Sequence, residues 1–336
     1  MSTHVNFALL GAGGIARAWS RGIAEVPLAE LAGVWDPVPA AATALAGEFH
    51  CPTYPSQEAL LADENVEAVI ICSPNPYHAP QTSAAAAAHK HVLTEKPMAL
   101  TVADCDAMIA ACAQAGVLLM VGQALRFHPP FDEALRMVRS GELGRVLGVD
   151  LIRMSGPGPA AGGPAPAEQP VTWRSDEANT GGWLLELNVH EIDFLQTLLG
   201  VPESVFAARS NLLKAPTVTG YDLLNVVARC PEGRQGHLLA GEVAHGEGMV
   251  RYIVFGEEAT LRWDAWTPKL TLGRPGSTAL EVREWEPKYS PMGAQADGFR
   301  AAIRGEGPLP VTGAEGRAAI ATCARIRQSW ETGEPA

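Results

Sequence analysis

With 336 residues, 47% of them hydrophobic and 18% charged, the chain has room for two globular domains and is no disordered protein. A formal net charge of −12 without a long Lys/Arg run argues against nucleic acid or an anionic membrane as partner. Neither a signal peptide nor a membrane span is visible, and six scattered cysteines without a Cys-x-x-Cys pair fit no disulfide framework or zinc ribbon, so a reduced, cytoplasmic protein is expected.

Val5–Leu10 is a short apolar run that ends in Gly11-Ala12-Gly13-Gly14-Ile15-Ala16, and a helical stretch follows. Further apolar runs come at Leu31–Trp35, Val66–Cys72, Val92–Leu93 with Thr94, and Val117–Val121. Helix-like segments separate them around Ala40–Phe49, Ala79–Lys90 and Thr101–Ala115, the last with Thr101 as its N-cap. Continuous apolar runs of about five residues alternating with helices call for a parallel sheet covered on both faces. Residues 1–122 are thus expected to form a doubly wound α/β Rossmann domain.

Beyond it, Pro129-Pro130 opens a helix ending at Gly141, and Val146–Met154 begins a strand-rich region. Residues 155–172 are rich in Gly, Pro and Ala, a loop composition, and are expected to lie near the substrate entrance. One helix at Trp183–Leu199, successive strands over 202–285 and two closing helices near Gln295–Arg304 and Gly313–Trp330 complete the pattern. Residues 123–336 are therefore expected to be an α+β domain with a large, mostly antiparallel sheet. A sheet so extended, covered on one face, is expected to find its second cover in another subunit, as a homodimer or homotetramer.

Three features carry chemistry. Gly11-x-Gly13-x-x-Ala16 sits between a strand and a helix, where Gly11 permits the tight turn, Gly13 lets backbone approach a pyrophosphate, and Ala16 allows close packing. Asp36 ends the second strand about 20 residues later, where a carboxylate accepts hydrogen bonds from an adenosine ribose and repels a 2′-phosphate. Residues 37–47 hold no Arg or Lys to neutralise such a phosphate, so NAD is favoured over NADP. The alternative for Asp36 is a turn residue before proline.

The second feature is Glu186, His190 and Asp193, spaced four and three apart on an apolar helix and so sharing one narrow face. A carboxylate beside an imidazole can fix the ring's tautomer for proton transfer. An ordinary solvated Glu–His pair is the alternative, and no further ligand has the spacing to complete a metal site. The third is Lys96, after the fourth strand, at the sheet edge where ligands bind, either holding a substrate oxygen or standing as a solvated charge.

Taken together, these motifs resemble the glucose–fructose oxidoreductase, inositol dehydrogenase and rhizopine-catabolism family (Gfo/Idh/MocA). The resemblance runs nearly full length through Gly-Ala-Gly-Gly-Ile-Ala at 11–16, Ser-Pro-Asn-Pro-Tyr-His at 73–78 and Glu-Lys-Pro at 95–97. It continues through Arg126-Phe127, Trp173-Arg174, and Gly181-Gly182 leading to Glu186, His190 and Asp193. It implies an NAD(P)-dependent enzyme acting on CH–OH groups of sugars, cyclitols or related polyols. By the same resemblance Lys96 would anchor the reacting hydroxyl and His190 would be the general acid/base, with Glu186 beside it. Gly11, Ala12, Gly13, Gly14, Ile15, Asp36, Ser73, Asn75, His78, Glu95 and Lys96 would line the cofactor. Trp173 and Arg174 would reach the cofactor from the second domain, and Arg126, Glu186, His190 and Asp193 would meet substrate. Many members carry Asp where this chain has Glu186, which leaves the substrate open. Two rivals remain: a redox-recycling glycoside hydrolase or eliminase that retains its NAD, and a non-catalytic NAD/sugar sensor.

Overall fold

The computed structural model describes residues 4–155, 173–213, 220–244, 248–264 and 267–336. Two compact units emerge. The first comprises residues 1–127 with 287–320, the second residues 128–286 with 321–336.

The first unit alternates strand and helix as its apolar runs require: β1 (Val5–Leu10), α1 (Gly14–Glu25), β2 (Ala29–Trp35), α2 (Pro39–Phe49), α3 (Gln57–Ala62), β3 (Ala68–Ile71), α4 (His78–Ala87), β4 (His91–Glu95), α5 (Val102–Ala115) and β5 (Leu119–Gly122). The five strands form one sheet in the order β2-β1-β3-β4-β5, every pair parallel. All four residues of β3 and of β5 are buried, as strands covered on both faces must be. Thr101 caps α5 as expected, its hydroxyl accepting from the Asp104 N–H at 3.1 Å. The short α3, capped by Ser56, is absent from the sequence reading because six residues carry too little periodicity.

A single division at residue 122 does not describe the chain. Residues 287–320 return to the first unit, for local reasons. Helix α9 (Pro291–Ile303) crosses α1 at Gly22 and Gly293, where a Cβ on Gly22 would fall 2.6 Å from the Gly293 nitrogen. Only glycine permits so close an approach. The Ser290 N–H donates to Glu25, and Val121 N–H donates to Val311 O at 3.2 Å, extending the edge of β5. The last helix, α10 (Gly313–Thr332), spans the division between the units.

In the second unit, α6 (Pro129–Arg139), β6 (Val146–Met154), the single turn α7 (Glu177–Thr180) and α8 (Val189–Leu199) precede seven strands. These are β7 (Ser204–Ser210), β8 (Leu223–Arg229), β9 (Gln235–Gly241), β10 (Met249–Gly256), β11 (Thr260–Asp264), β12 (Lys269–Gly273) and β13 (Leu280–Glu284). One eight-stranded sheet results, in the order β13-β12-β11-β10-β6-β9-β8-β7, with β6–β9 its parallel pair. One face carries α6 and α8, packed on an aromatic cluster of Phe131, Phe194, Tyr252 and Trp263 with ring centroids 4.6–6.4 Å apart. Along the opposite face Phe206, Val227, Phe255, Leu280 and Val282 are exposed.

The expected continuous helix at Trp183–Leu199 is interrupted. Leu184–Asn188 is a π-helical turn, and regular α-helix begins only at Val189. The stretch 156–172, most of the expected substrate-entrance loop, lies outside the described residues.

Candidate active site

In an all-parallel sheet every strand ends at the same edge, so the first unit gathers its sequence-predicted site residues there. β1 leads to the glycine loop, β2 to Asp36, β3 to Ser73, Asn75 and His78, β4 to Glu95 and Lys96, and β5 to Arg126.

The glycine loop is held tightly. Gly11 adopts φ +107°, donates its N–H to Trp35 O at 2.8 Å, and lies so close to β3 that a Cβ would stand 2.9 Å from the Cys72 carbonyl carbon. Ala16 is fully buried against the sheet. By contrast a Cβ on Gly13 or Gly14 would meet no protein atom within 4 Å. Gly13 caps α1 without a side-chain hydrogen bond, leaving the first N–H groups of the helix, with Ile15 in its first turn, to face that open space. Such a cradle fits a pyrophosphate.

Asp36 does two things. One carboxylate oxygen accepts from Ala12 N–H at 2.8 Å and the other from Val38 N–H at 2.8 Å, so the residue shapes its own turn and pins the glycine loop. Each oxygen retains a lone pair for a ribose hydroxyl. Asp36→Ala is expected to weaken NAD⁺ binding tenfold or more, since a bond to a charged group contributes about 1.5–3 kcal/mol. On the ribose assignment, the ratio of NAD⁺ to NADP⁺ affinity is expected to fall as well. Titration with each cofactor measures both effects, and an unchanged ratio contradicts the ribose assignment.

Lys96 is positioned by its neighbours. Glu95 is buried; one oxygen accepts from the Trp19 indole N–H of α1 at 2.7 Å and the other from the Lys96 backbone N–H at 3.0 Å. The peptide bond to Pro97 is cis, and Pro97 O lies 2.8 Å from His78 Nδ1. His78 Nε2 lies 3.0 Å from Ser73 O, and the ring is wholly buried. Glu95 and His78, expected along the cofactor, therefore hold the chain on either side of Lys96. Sequence reading missed Trp19; the signal was a tryptophan on a buried helix face, whose N–H must find an acceptor.

Ser73 donates its hydroxyl to Gln81 at 2.6 Å, and Asn75 is buried at the start of the next turn. Arg126, expected to meet substrate, is buried and gives one guanidinium nitrogen to Glu315 at 2.6 Å. Burial pushes the Glu315 carboxyl up, but Arg126 and the bonds from Thr312 outweigh it and hold the group below its ordinary value.

In the second unit the Arg174 guanidinium lies 4.5 Å from the centroid of the Trp173 ring and bonds Glu186 at 3.0 Å. Thus Trp173, Arg174 and Glu186 form one group. Gly181 and Gly182 both adopt φ +72°, two left-handed residues in series that admit little but glycine, and Arg327 holds Gly181 O. The chain then enters the π-turn Leu184–Asn188, which contains Glu186 and leads directly into the helix of His190 at Val189. Glu186 and His190 are half-buried and Asp193 is buried. The π-turn holds about one more residue than an α-turn, so Glu186 and His190 are not spaced as in a straight α-helix, although four residues still bring them round by about one turn.

Residues 5–123 match the oxidoreductase family with an NAD-binding Rossmann fold, and residues 131–262 match the GFO/IDH/MocA C-terminal domain. The chain belongs to the Gfo/Idh/MocA oxidoreductase family. It is 31% identical to inositol 2-dehydrogenase of Rhizobium meliloti over 234 residues, 69% of this chain and 67% of that protein. It is 29% identical to 2,7-anhydro-N-acetylneuraminate hydratase of Escherichia coli over 233 residues, 68% of this chain but only 60% of the relative's length. Among solved structures, aldose-aldose oxidoreductase from Caulobacter crescentus, complexed with glycerol, superposes with a TM-score of 0.86 at 28% identity. That match covers 99% of each chain.

Proposed function

We propose that this Gfo/Idh/MocA protein is an NAD-dependent oxidoreductase acting on a carbinol or carbonyl carbon of a sugar, cyclitol or related polyol. The observation that carries the proposal is the shared sheet edge of the first unit, where the open glycine cradle, Asp36 and the braced Lys96 come together. A bound nicotinamide supplies the two-electron acceptor. The chain's own residues supply the rest: Lys96 binds the reacting hydroxyl, His190 accepts its proton, and Glu186, neutralised by Arg174, meets a neighbouring hydroxyl. Asp193 and Arg126 are assigned to the substrate as well. NAD is preferred because Asp36 opposes a 2′-phosphate and 37–47 offer no cation. The six cysteines, all thiols and five of them buried, fit a cytoplasmic protein.

The test is NADH fluorescence with NAD⁺ against a panel of sugars, cyclitols and sugar acids. A rise with one class supports the dehydrogenase. The hydratase relative favours a second reading, in which the enzyme keeps its NAD and returns the hydride within one turnover. Tightly bound NAD in the isolated protein, with product formed but no net NADH, selects that reading. The sensor reading is weakest, since Lys96 and His190 are both present.

We also propose that a second copy covers the open sheet face bearing Phe206, Val227, Phe255, Leu280 and Val282. Light scattering is expected to give a dimer or tetramer, and Val227→Asp with Phe255→Asp is expected to give monomers. A wild-type monomer at micromolar concentration contradicts this.

A further inference from the structure

Behind His190 lies a polar cluster that its motif does not reveal. Glu191 is completely buried. One of its carboxylate oxygens accepts from Arg153 of β6 at 2.8 Å and from the Tyr252 hydroxyl of β10 at 2.9 Å. The other accepts from the Asn188 side-chain amide at 3.1 Å, and the Asn188 carbonyl oxygen in turn accepts from the Tyr221 hydroxyl. Asn188, Tyr221 and Tyr252 are themselves buried. Burial first, then the Glu191 charge, pushes both tyrosine hydroxyls well above their ordinary values, so they remain donors throughout the working pH range.

Withdrawing a carboxylate, a guanidinium and two phenols from water is costly, and hydrophobic replacements commonly match or exceed the stability of such a cluster. Its distinguishing property is directional: each bond has one geometry. Asn188 is the last residue of the π-turn, and Glu191 lies in the first turn of α8, so the cluster grips both sides of the junction. π-Turns are rare, appear as single turns within α-helices and recur at functional sites. Relaxation to α-helix here would rotate the residues N-terminal to the turn by about 100° relative to His190, and Glu186, which lies within the turn, by part of that.

We infer that Arg153, Asn188, Glu191, Tyr221 and Tyr252 are positioning residues that hold the π-turn and so set the directions of Glu186 and His190. The kinetic part rests on the oxidoreductase reading above; the conformational part does not. Tyr252→Phe removes one hydroxyl and keeps the ring, while Glu191→Gln removes the charge. The control is Ser329→Ala in the same unit, where a buried hydroxyl accepts from Ala207 N–H at 3.0 Å, remote in sequence from the π-turn.

Hydrogen exchange of the full chain is expected to accelerate at least tenfold over 184–191 in both test variants. On the substrate that wild type turns over, kcat falls at least tenfold while the KM for NAD⁺ stays within twofold. Ser329→Ala lowers Tm and changes neither reading. Unchanged exchange at 184–191 overturns the inference, as does faster exchange with wild-type kcat. If wild type turns over no polyol, the oxidoreductase reading falls, and the exchange measurement alone decides whether the cluster holds the turn.

Discussion

Lys96→Ala and His190→Ala are each expected to lower NADH formation by about 10²–10⁴-fold, the range typical for loss of a positioned acid or base. Binding of NAD⁺ changes far less. The reason lies in how the Lys96 backbone is fixed. Glu95 holds its N–H, Trp19 holds Glu95, and His78 lies against Pro97 O, none of which involves the lysine side chain. Removing that side chain therefore leaves the strand end in place. Steady-state rates against tryptophan-fluorescence titration with NAD⁺ separate the two quantities. Activity within tenfold of wild type in either variant contradicts the assigned roles, whereas loss of NAD⁺ binding assigns the residue to the cofactor site instead.

Gly11→Ala and Gly13→Ala are expected to fail in different ways. At Gly11 the backbone sits at φ +107°, and a Cβ would stand 2.9 Å from Cys72 C and 3.0 Å from Ser73 N. The conformation alone costs about 1–2 kcal/mol, and the contact is with backbone that cannot rotate aside. A fall in Tm of roughly 5 °C or more is expected, together with weaker NAD⁺ binding. At Gly13 the same methyl group meets nothing within 4 Å, so the fold is untouched. The methyl would instead occupy space available to the pyrophosphate, and NAD⁺ affinity is expected to fall at least tenfold with Tm unchanged in the free protein. Thermal melts and cofactor titrations of both variants check this pair. Wild-type affinity in Gly13→Ala removes the pyrophosphate from the loop.

Much of the first unit was legible because its signals are local. Five apolar runs became the five strands, and Thr101 caps its helix as its place before the periodic segment requires. The family was legible too, since its motifs are short contiguous runs, three of them at the ends of β1, β3 and β4. The second unit was legible as a strand-rich region, although no local pattern specifies the parallel pairing of β6 with β9, which sets Leu151 opposite Leu238 and Ile152 opposite Leu239, residues 87 apart in the chain. Its open apolar face follows from alternating burial in strands such as β8.

By itself the sequence determined the Rossmann order, the glycine loop and the set of candidate side chains, because strand, turn and cap preferences act over a few neighbouring residues. Tertiary structure decided the rest. It returned residues 287–320 to the first unit through the glycine-to-glycine crossing of α1 and α9. It committed Glu95 to Trp19 and one Arg126 nitrogen to Glu315, because a buried polar group takes whichever partner the fold brings within reach. It also replaced the first turn of an apparently regular helix with a π-turn, a local irregularity gripped by groups from β6, β10 and the chain before β8 that no helical periodicity can encode.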